Sequence, residues 1–412
     1  MKASPAIQQE IEAEINRLIT YEEFSQAIDA LRTGSAPGPS ETTPNMMKAW
    51  NPAIRRFIYG HMLNVWSHRI CPSWFKDKLI KLAPKVLGSN ELANMRPISL
   101  YEVLRKVWTT TIAKRIHTIW HHRKLLNPAQ YGYRLNNGIL MPLYNLINSI
   151  EKAHCDGTPT LITFWDIRRA FDSIPRNLQR LAWTRLGVPE SVAEWFVALD
   201  EGGHAFVATP YYATNNNLKT SSEIRRDDSH FAQPPTAGPN QNTPLSFIPE
   251  RGIGQGESAS SLMWVAVYDI LLDWIEPSNR HLHPPSFYDL CSPTNLSQPP
   301  SQRDLDSSDP PLSNAYADDL ATITSGPFAF QTQQKQAEWI SAFCAFTGLQ
   351  LIMKKIVSVS IGNHTRGLPA NITVYNHKWE PRLPLTSLTL DHIISGNSSA
   401  SFQQLLLKTT IQ

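Results

Sequence analysis

The chain has 412 residues, enough for two or three subdomains around a sizeable core, so size does not limit folding. A formal charge of +3 is too near neutral to nominate a nucleic-acid partner by itself, and no run reaches the roughly 18 apolar residues of a membrane span. Four widely separated cysteines, Cys71, Cys155, Cys291 and Cys344, lack the paired spacing of zinc sites and read as reduced intracellular thiols.

In chain order, Ser4 to Arg32 has helical periodicity, with Ile7, Ile11, Ile15, Leu18 and Ile19 on one face. Gly34 to Pro39 breaks it, and Asn51 to His68 reads as a second amphipathic helix. From Lys48 to Arg134 sixteen Lys or Arg stand against three acids, Asp77, Glu91 and Glu102. They are interleaved with Trp66, Trp74, Phe75, Trp108, Tyr131 and Tyr133, a mixture that predicts a phosphate-binding face. Val103 to Trp120 continues as a long helix, and Thr160 to Asp166 is an apolar run suited to one buried strand. Pro175 opens a helix that Gly187 to Pro189 ends, and Glu190 to Leu199 forms the next.

Tyr211 to Pro249 and Pro277 to Pro311, rich in Pro, Ser, Thr or Asn, are expected to be polar insertions. Between them, Gly252, Gly254 and Gly256 lack the Lys and the preceding strand of a phosphate-cradling loop. Ser258 to Ile275 reads as a helix with Asp269 and Asp273 on its polar face. Leu320 to Thr324 is a strand, and Gln331 to Phe346 a helix.

Just before that last strand, Asp318 and Asp319 stand side by side at the expected tip of a hairpin. Adjacent carboxylates repel each other, so a neighbouring cation explains their place on a structured turn, and Mg²⁺ suits all-oxygen ligands. Asp166, at the end of a separate strand, supplies a third carboxylate. Carboxylates from separate elements are what a two-metal phosphoryl-transfer site requires.

Asp166 with Ala170-Phe171-Asp172, then Arg251-Gly-Ile-Gly-Gln255-Gly256, then Tyr316-Ala317-Asp318-Asp319 resemble, in that order, motifs A, B and C of reverse transcriptases. The likeness is greatest to the non-LTR (LINE-type) retrotransposon branch. It implies an α+β right-hand polymerase whose antiparallel palm sheet is backed by helices, with a thumb that is partial or absent. The implied layout is a helical extension over 1–44, basic fingers over 45–158, a palm over 159–361 with inserts near 211–249 and 277–311, and a palm end or partial thumb over 362–412.

By the same resemblance, Asp166, Asp318 and Asp319 hold two Mg²⁺ ions, with Mn²⁺ also suitable. Lys85 and Arg96, in fingers strands, grip the incoming triphosphate. Phe171 gates the sugar, and Gln255 with Gly256 lies beneath the nascent base pair. Gln130 and Arg134, in Gln130-Tyr-Gly-Tyr-Arg134, contact the template. Lys355, in a stretch similar to motif D, protonates departing pyrophosphate. Ser40, Ser258, Ser261, Ile352 and Ile356 depart from the usual motif residues.

The implied activity is RNA-directed DNA synthesis from deoxynucleoside triphosphates on a primed RNA or DNA template. The implied setting is a larger polyprotein with endonuclease or nucleic-acid-binding domains elsewhere, and a nuclear location in preference to a cytoplasmic one. The alternatives are a truncated, non-catalytic nucleic-acid-binding relic and a group II intron or retron-type enzyme.

Overall fold

The structure, a computed structural model, describes residues 1–85, 94–134, 138–208, 212–214, 217–219, 246–275, 313–326, 328–361, 371–375, 385–386 and 388–389. Most of the two expected insertions and of the 362–412 tail lies outside the described residues. The chain forms two compact units, one of residues 8–119 and 188–262, the other of residues 1–7, 120–187 and 263–412.

The amino-terminal periodicity resolves into two helices, α1 (Pro5–Asn16) and α2 (Tyr21–Asp29). The interruption is chemical: Thr20 accepts from the backbone N–H of Glu23, and Glu23 accepts in turn from that of Thr20, a reciprocal cap that starts a new helix. Next come α3 (Pro44–Lys48), α4 (Pro52–Ser67) and α5 (Ser73–Lys76). Asn51 caps α4 with its side-chain oxygen 2.9 Å from the N–H of Ile54.

In the first unit, β1 (Lys78–Pro84) and β2 (Met95–Tyr101) pair antiparallel from Lys78↔Tyr101 to Pro84↔Met95. They precede α6 (Val103–His122). The second unit takes up α7 (Leu140–Asp156), β3 (Thr160–Trp165), α8 (Ala170–Ser173) and α9 (Arg176–Arg185). The chain returns to the first unit with α10 (Glu190–Ala198) and β4 (Ala205–Ala208), which lies parallel to β1. This pairing draws 188–262 into the same unit as the β1–β2 hairpin. Within the first expected insertion, β5 (Tyr212–Thr214) pairs with β6 (Asn217–Lys219), and β7 (Ser246–Phe247) pairs with β4.

α11 (Ser258–Trp274) leads back to the second unit, with β8 (Ser313–Tyr316), β9 (Asp319–Ser325), α12 (Ala329–Thr347) and β10 (Val357–Ile361). Two-residue strands β11 (Asn371–Ile372), β12 (Leu385–Thr386) and β13 (Leu388–Thr389) follow. Its main sheet runs β13-β10-β3-β9-β8, antiparallel except for β10–β13.

One face of this sheet is apolar. Ile162, Ile323, Val359 and Ile361 pack with Leu146 and Ala153 of α7. The alternate residues form a buried polar layer against α12: Gln333 donates to Thr322 at 2.5 Å and accepts from Thr324 at 3.0 Å, and Thr163 donates to Ser358 at 3.0 Å. Alternating side chains thus give the central strands two different buried faces, one held by apolar area and one by satisfied hydrogen bonds.

Candidate active site

β3 and β9 are in register from Thr160↔Ser325 to Trp165↔Leu320, and β8 pairs with β9 out to Tyr316↔Asp319. Asp166 follows Trp165 directly, so the register carries it to the level of Asp319, roughly 5 Å away by backbone spacing in an antiparallel pair. Asp318 occupies the two-residue turn beside them. The backbone of Asp166 is fixed as well: its carbonyl accepts from the N–H of Ile352 at 2.9 Å, and Arg168 N–H donates to Gln350 at 2.7 Å.

The side chain of Asp166 is turned to a cation. Lys355, in the short turn Met353–Lys355, places its Nζ 2.7 Å from Asp166 Oδ2. Among the described residues, no three His, Cys, Asp or Glu side chains converge closely enough to hold a metal ion. The chemistry of the donor set fits Mg²⁺, because all three groups offer hard carboxylate oxygens. Tyr268, fully buried, is pushed well above the usual phenol range, first by burial and then by the negative charge of Asp318, Cys344, Asp319 and Asp166. Tyr268 Oη also donates to the Asp318 carbonyl at 3.4 Å.

The turn itself is strained. Ala317 has φ 56°, the left-handed value that a two-residue hairpin with one positive φ usually gives to glycine, at a cost of about 1–2 kcal/mol for an L-residue. Its carbonyl accepts from Trp264 Nε1 at 2.8 Å and Gln130 Nε2 at 3.1 Å, and its N–H donates to Gln130 Oε1 at 3.1 Å.

Gln130, expected at the template, is turned inward to the Ala317 turn. The residue is 1% exposed, and its amide is spent on Ala317 and on the N–H of Gly132. Arg134 is half-buried and donates to the carbonyls of Asn127 and Gln130, while burial lowers its pKa. Phe171 is 6% exposed and stacks on Trp264 at 5.2 Å between ring centroids, and Trp264 stacks on Tyr268 at 5.0 Å. Trp264 and Tyr268 escaped the sequence reading; their four-residue spacing on a predicted helix was the available signal.

Asp269 and Asp273, expected on the polar face of this helix, are buried at 1% and 6% exposure and held by Lys2, Arg185 and Asn127.

In the other unit, Lys85 N–H donates to Asn94 and Arg96 lies opposite Ala83. Strand alternation therefore puts Lys81, Lys85 and Arg96 on one face of the β1–β2 hairpin, all exposed. Lys81 was not anticipated. Gln255 accepts from Ser99 N–H at 2.7 Å, which docks the glycine-rich stretch on β2. A side chain at Gly256 would collide with the carbonyl of Ser99, and one at Gly254 with Tyr101 and Ser99. Those glycines serve close backbone approach.

The basic block is smaller than the sequence suggested. Arg105, Arg115 and Lys78 are buried: Arg105 pairs with Glu257 and Asp200, Arg115 with Glu23, and Lys78 lies 3.5 Å from Asp200. Of the interleaved aromatics, Trp66, Phe75, Trp108 and Tyr131 are also core.

Residues 84–367 match the family described as reverse transcriptase (RNA-dependent DNA polymerase). The chain belongs to the reverse transcriptase family. Similar proteins include the Retrovirus-related Pol polyprotein from type-1 retrotransposable element R2 of Popillia japonica, 25% identical over 84% of this chain and 40% of that protein. Another is the probable RNA-directed DNA polymerase from transposon BS of Drosophila melanogaster, 28% identical over 38% of this chain and 17% of that protein. These relatives agree with the expected non-LTR retrotransposon branch. The chain spans less than half the length of each. A telomerase structure from Candida tropicalis, apo and truncated from its C-terminal domain, aligns over 76% of this chain and 56% of that one, with 12% identity and a TM-score of 0.41.

Proposed function

We propose that this reverse transcriptase domain catalyses RNA-directed DNA synthesis, adding deoxynucleotides to a primer 3′-hydroxyl. The observation that carries the reading is the strand register that sets Asp166 level with Asp319 beside the Asp318 turn. Asp166, Asp318 and Asp319 would hold two Mg²⁺ ions, which when bound activate the primer hydroxyl and neutralise the triphosphate. Lys355, half-exposed and 2.7 Å from Asp166, would give a proton to the departing pyrophosphate.

Phe171 presents a ring backed by Trp264, which suits it to exclude a 2′-hydroxyl by volume. Lys85 and Arg96, joined by Lys81, offer three cations on one hairpin face to a triphosphate or template phosphate. The five-stranded unit is then the palm, and the β1–β2 unit bears the fingers. No described helix is long and apolar enough to cross a membrane, and the reading favours action on nucleic acid in the nucleus within a larger polyprotein. Primer extension on an RNA template by the purified chain and by Asp318→Asn tests it.

A further inference from the structure

Asp318 and Asp319 inherit their direction from Ala317, whose positive φ is an unfavourable conformation for an alanine. The two polar groups of Ala317 are held by side chains remote in sequence. Trp264 and Gln130 both donate to its carbonyl, and Gln130 accepts its N–H. Gly132 lies against the same residue, with a β-carbon there 3.0 Å from Ala317 Cα.

The clamp has its own support. Gln130 belongs to a loop whose Asn127 donates by its backbone N–H to Asp269 at 2.6 Å and by its side chain to Asp273 at 3.0 Å. Asn127 in turn accepts from Ala129 N–H at 2.9 Å. Lys2 and Arg185 neutralise those two buried acids. Trp264, Asp269 and Asp273 all lie on α11. One helix thus delivers the first donor directly and the second through Asn127. The loop is also tied to β8, where Ala315 N–H donates to Ala129 and its carbonyl accepts from Tyr131 N–H, each at 2.8 Å.

We propose that Gln130 and Trp264 are positioning residues that lock the Ala317 turn and thereby aim Asp318 and Asp319. This rests on the reading of those aspartates as the catalytic acids. Trp264→Phe keeps the aromatic stack and removes one donor; Gln130→Met keeps length and removes the other contacts. Each should lower single-turnover extension about tenfold to a hundredfold, the scale of a small misplacement at a reacting centre. Primer-template affinity should be unchanged, and Mg²⁺ binding followed by calorimetry should weaken severalfold. Ala317→Gly, which tolerates the positive φ without a clamp, should restore part of the rate in the Trp264→Phe background.

Folded variants with wild-type rate and Mg²⁺ affinity would overturn the proposal. So would a rate loss that merely tracks loss of folded protein, with Mg²⁺ affinity intact and no rescue by glycine. Asp318→Asn run alongside separates the two ideas: if it extends primers normally, the catalytic reading falls; if it is inactive while the clamp variants are normal, only the clamp falls.

Discussion

Lys355 donates to Asp166 across 2.7 Å although 189 residues separate them. The contact makes motif D part of the same site as motif A, because the Gln350–Ile352 stretch is itself bonded to the backbone around Asp166. The proton-donor role proposed for Lys355 predicts an effect on turnover. Lys355→Leu is expected to slow single-turnover extension about a hundredfold, within the range for general acids, with nucleotide KM little changed. Thermal stability should hardly move, since the pair is 49% and 30% exposed and surface pairs contribute about 0–1 kcal/mol. A rate equal to wild type would reduce Lys355 to a surface charge.

Phe171 is both a candidate gate and a buried ring, so its removal should show two effects of different kinds. Phe171→Ala leaves a cavity beside Trp264 worth about 3–5 kcal/mol of stability. A gate predicts in addition that ribonucleotide use rises about a hundredfold relative to deoxynucleotide use, some 3 kcal/mol of discrimination. Side-by-side incorporation by folded mutant and wild type measures the ratio. An unchanged ratio assigns Phe171 to the core alone.

Arg105 joins Glu257 and Asp200 in a site with almost no solvent and also donates to the carbonyls of Phe75 and Leu199. Arg105→Met would take the arginine from buried Glu257 and leave Asp200 with Lys78 and the Tyr101 hydroxyl, and breaking a buried pair from one side costs about 3–5 kcal/mol. Denaturant unfolding should register that loss. A midpoint within error of wild type would contradict the network's role.

Acid sensitivity should arise in part at Glu23. Burial alone would raise its pKa, but the Thr20 N–H, Arg17 and Arg115 outweigh it and hold the carboxyl at about 2, against an ordinary 4.5. A depressed folded-state pKa gives stability that is complete above the unfolded value and lost as pH falls toward the folded one. Glu23→Gln should therefore lower the melting temperature at neutral pH and flatten its decline between about pH 4.5 and 2. A parallel decline in both proteins would refute the assignment.

The carboxylates were legible because their chemistry and order along the chain do not depend on packing: Asp166 ends an apolar strand, and Asp318-Asp319 interrupts two others. Lys81 was missed because its exposed face is defined by pairing with β2, not by its neighbours in sequence. The i, i+4 spacing of Asp269 and Asp273 marked a polar face but not its burial, which depends on Lys2 and Arg185, far away in the chain. The basic block likewise counted charges that Glu23, Asp200 and Glu257 neutralise inside the fold. Long-range pairing of buried charge leaves no periodic trace in a sequence.

Extension of a primer on an RNA template by wild type and Asp318→Asn, with primer-template affinity measured on the same preparations, tests the catalytic assignment most directly. The change removes one carboxylate charge and leaves every Lys and Arg in place. Wild type should extend with deoxynucleotides and Mg²⁺, while Asp318→Asn should bind primer-template within about twofold of wild type, far less than a 1.4 kcal/mol, tenfold change, and give no product. Equal extension by the two proteins would contradict the account.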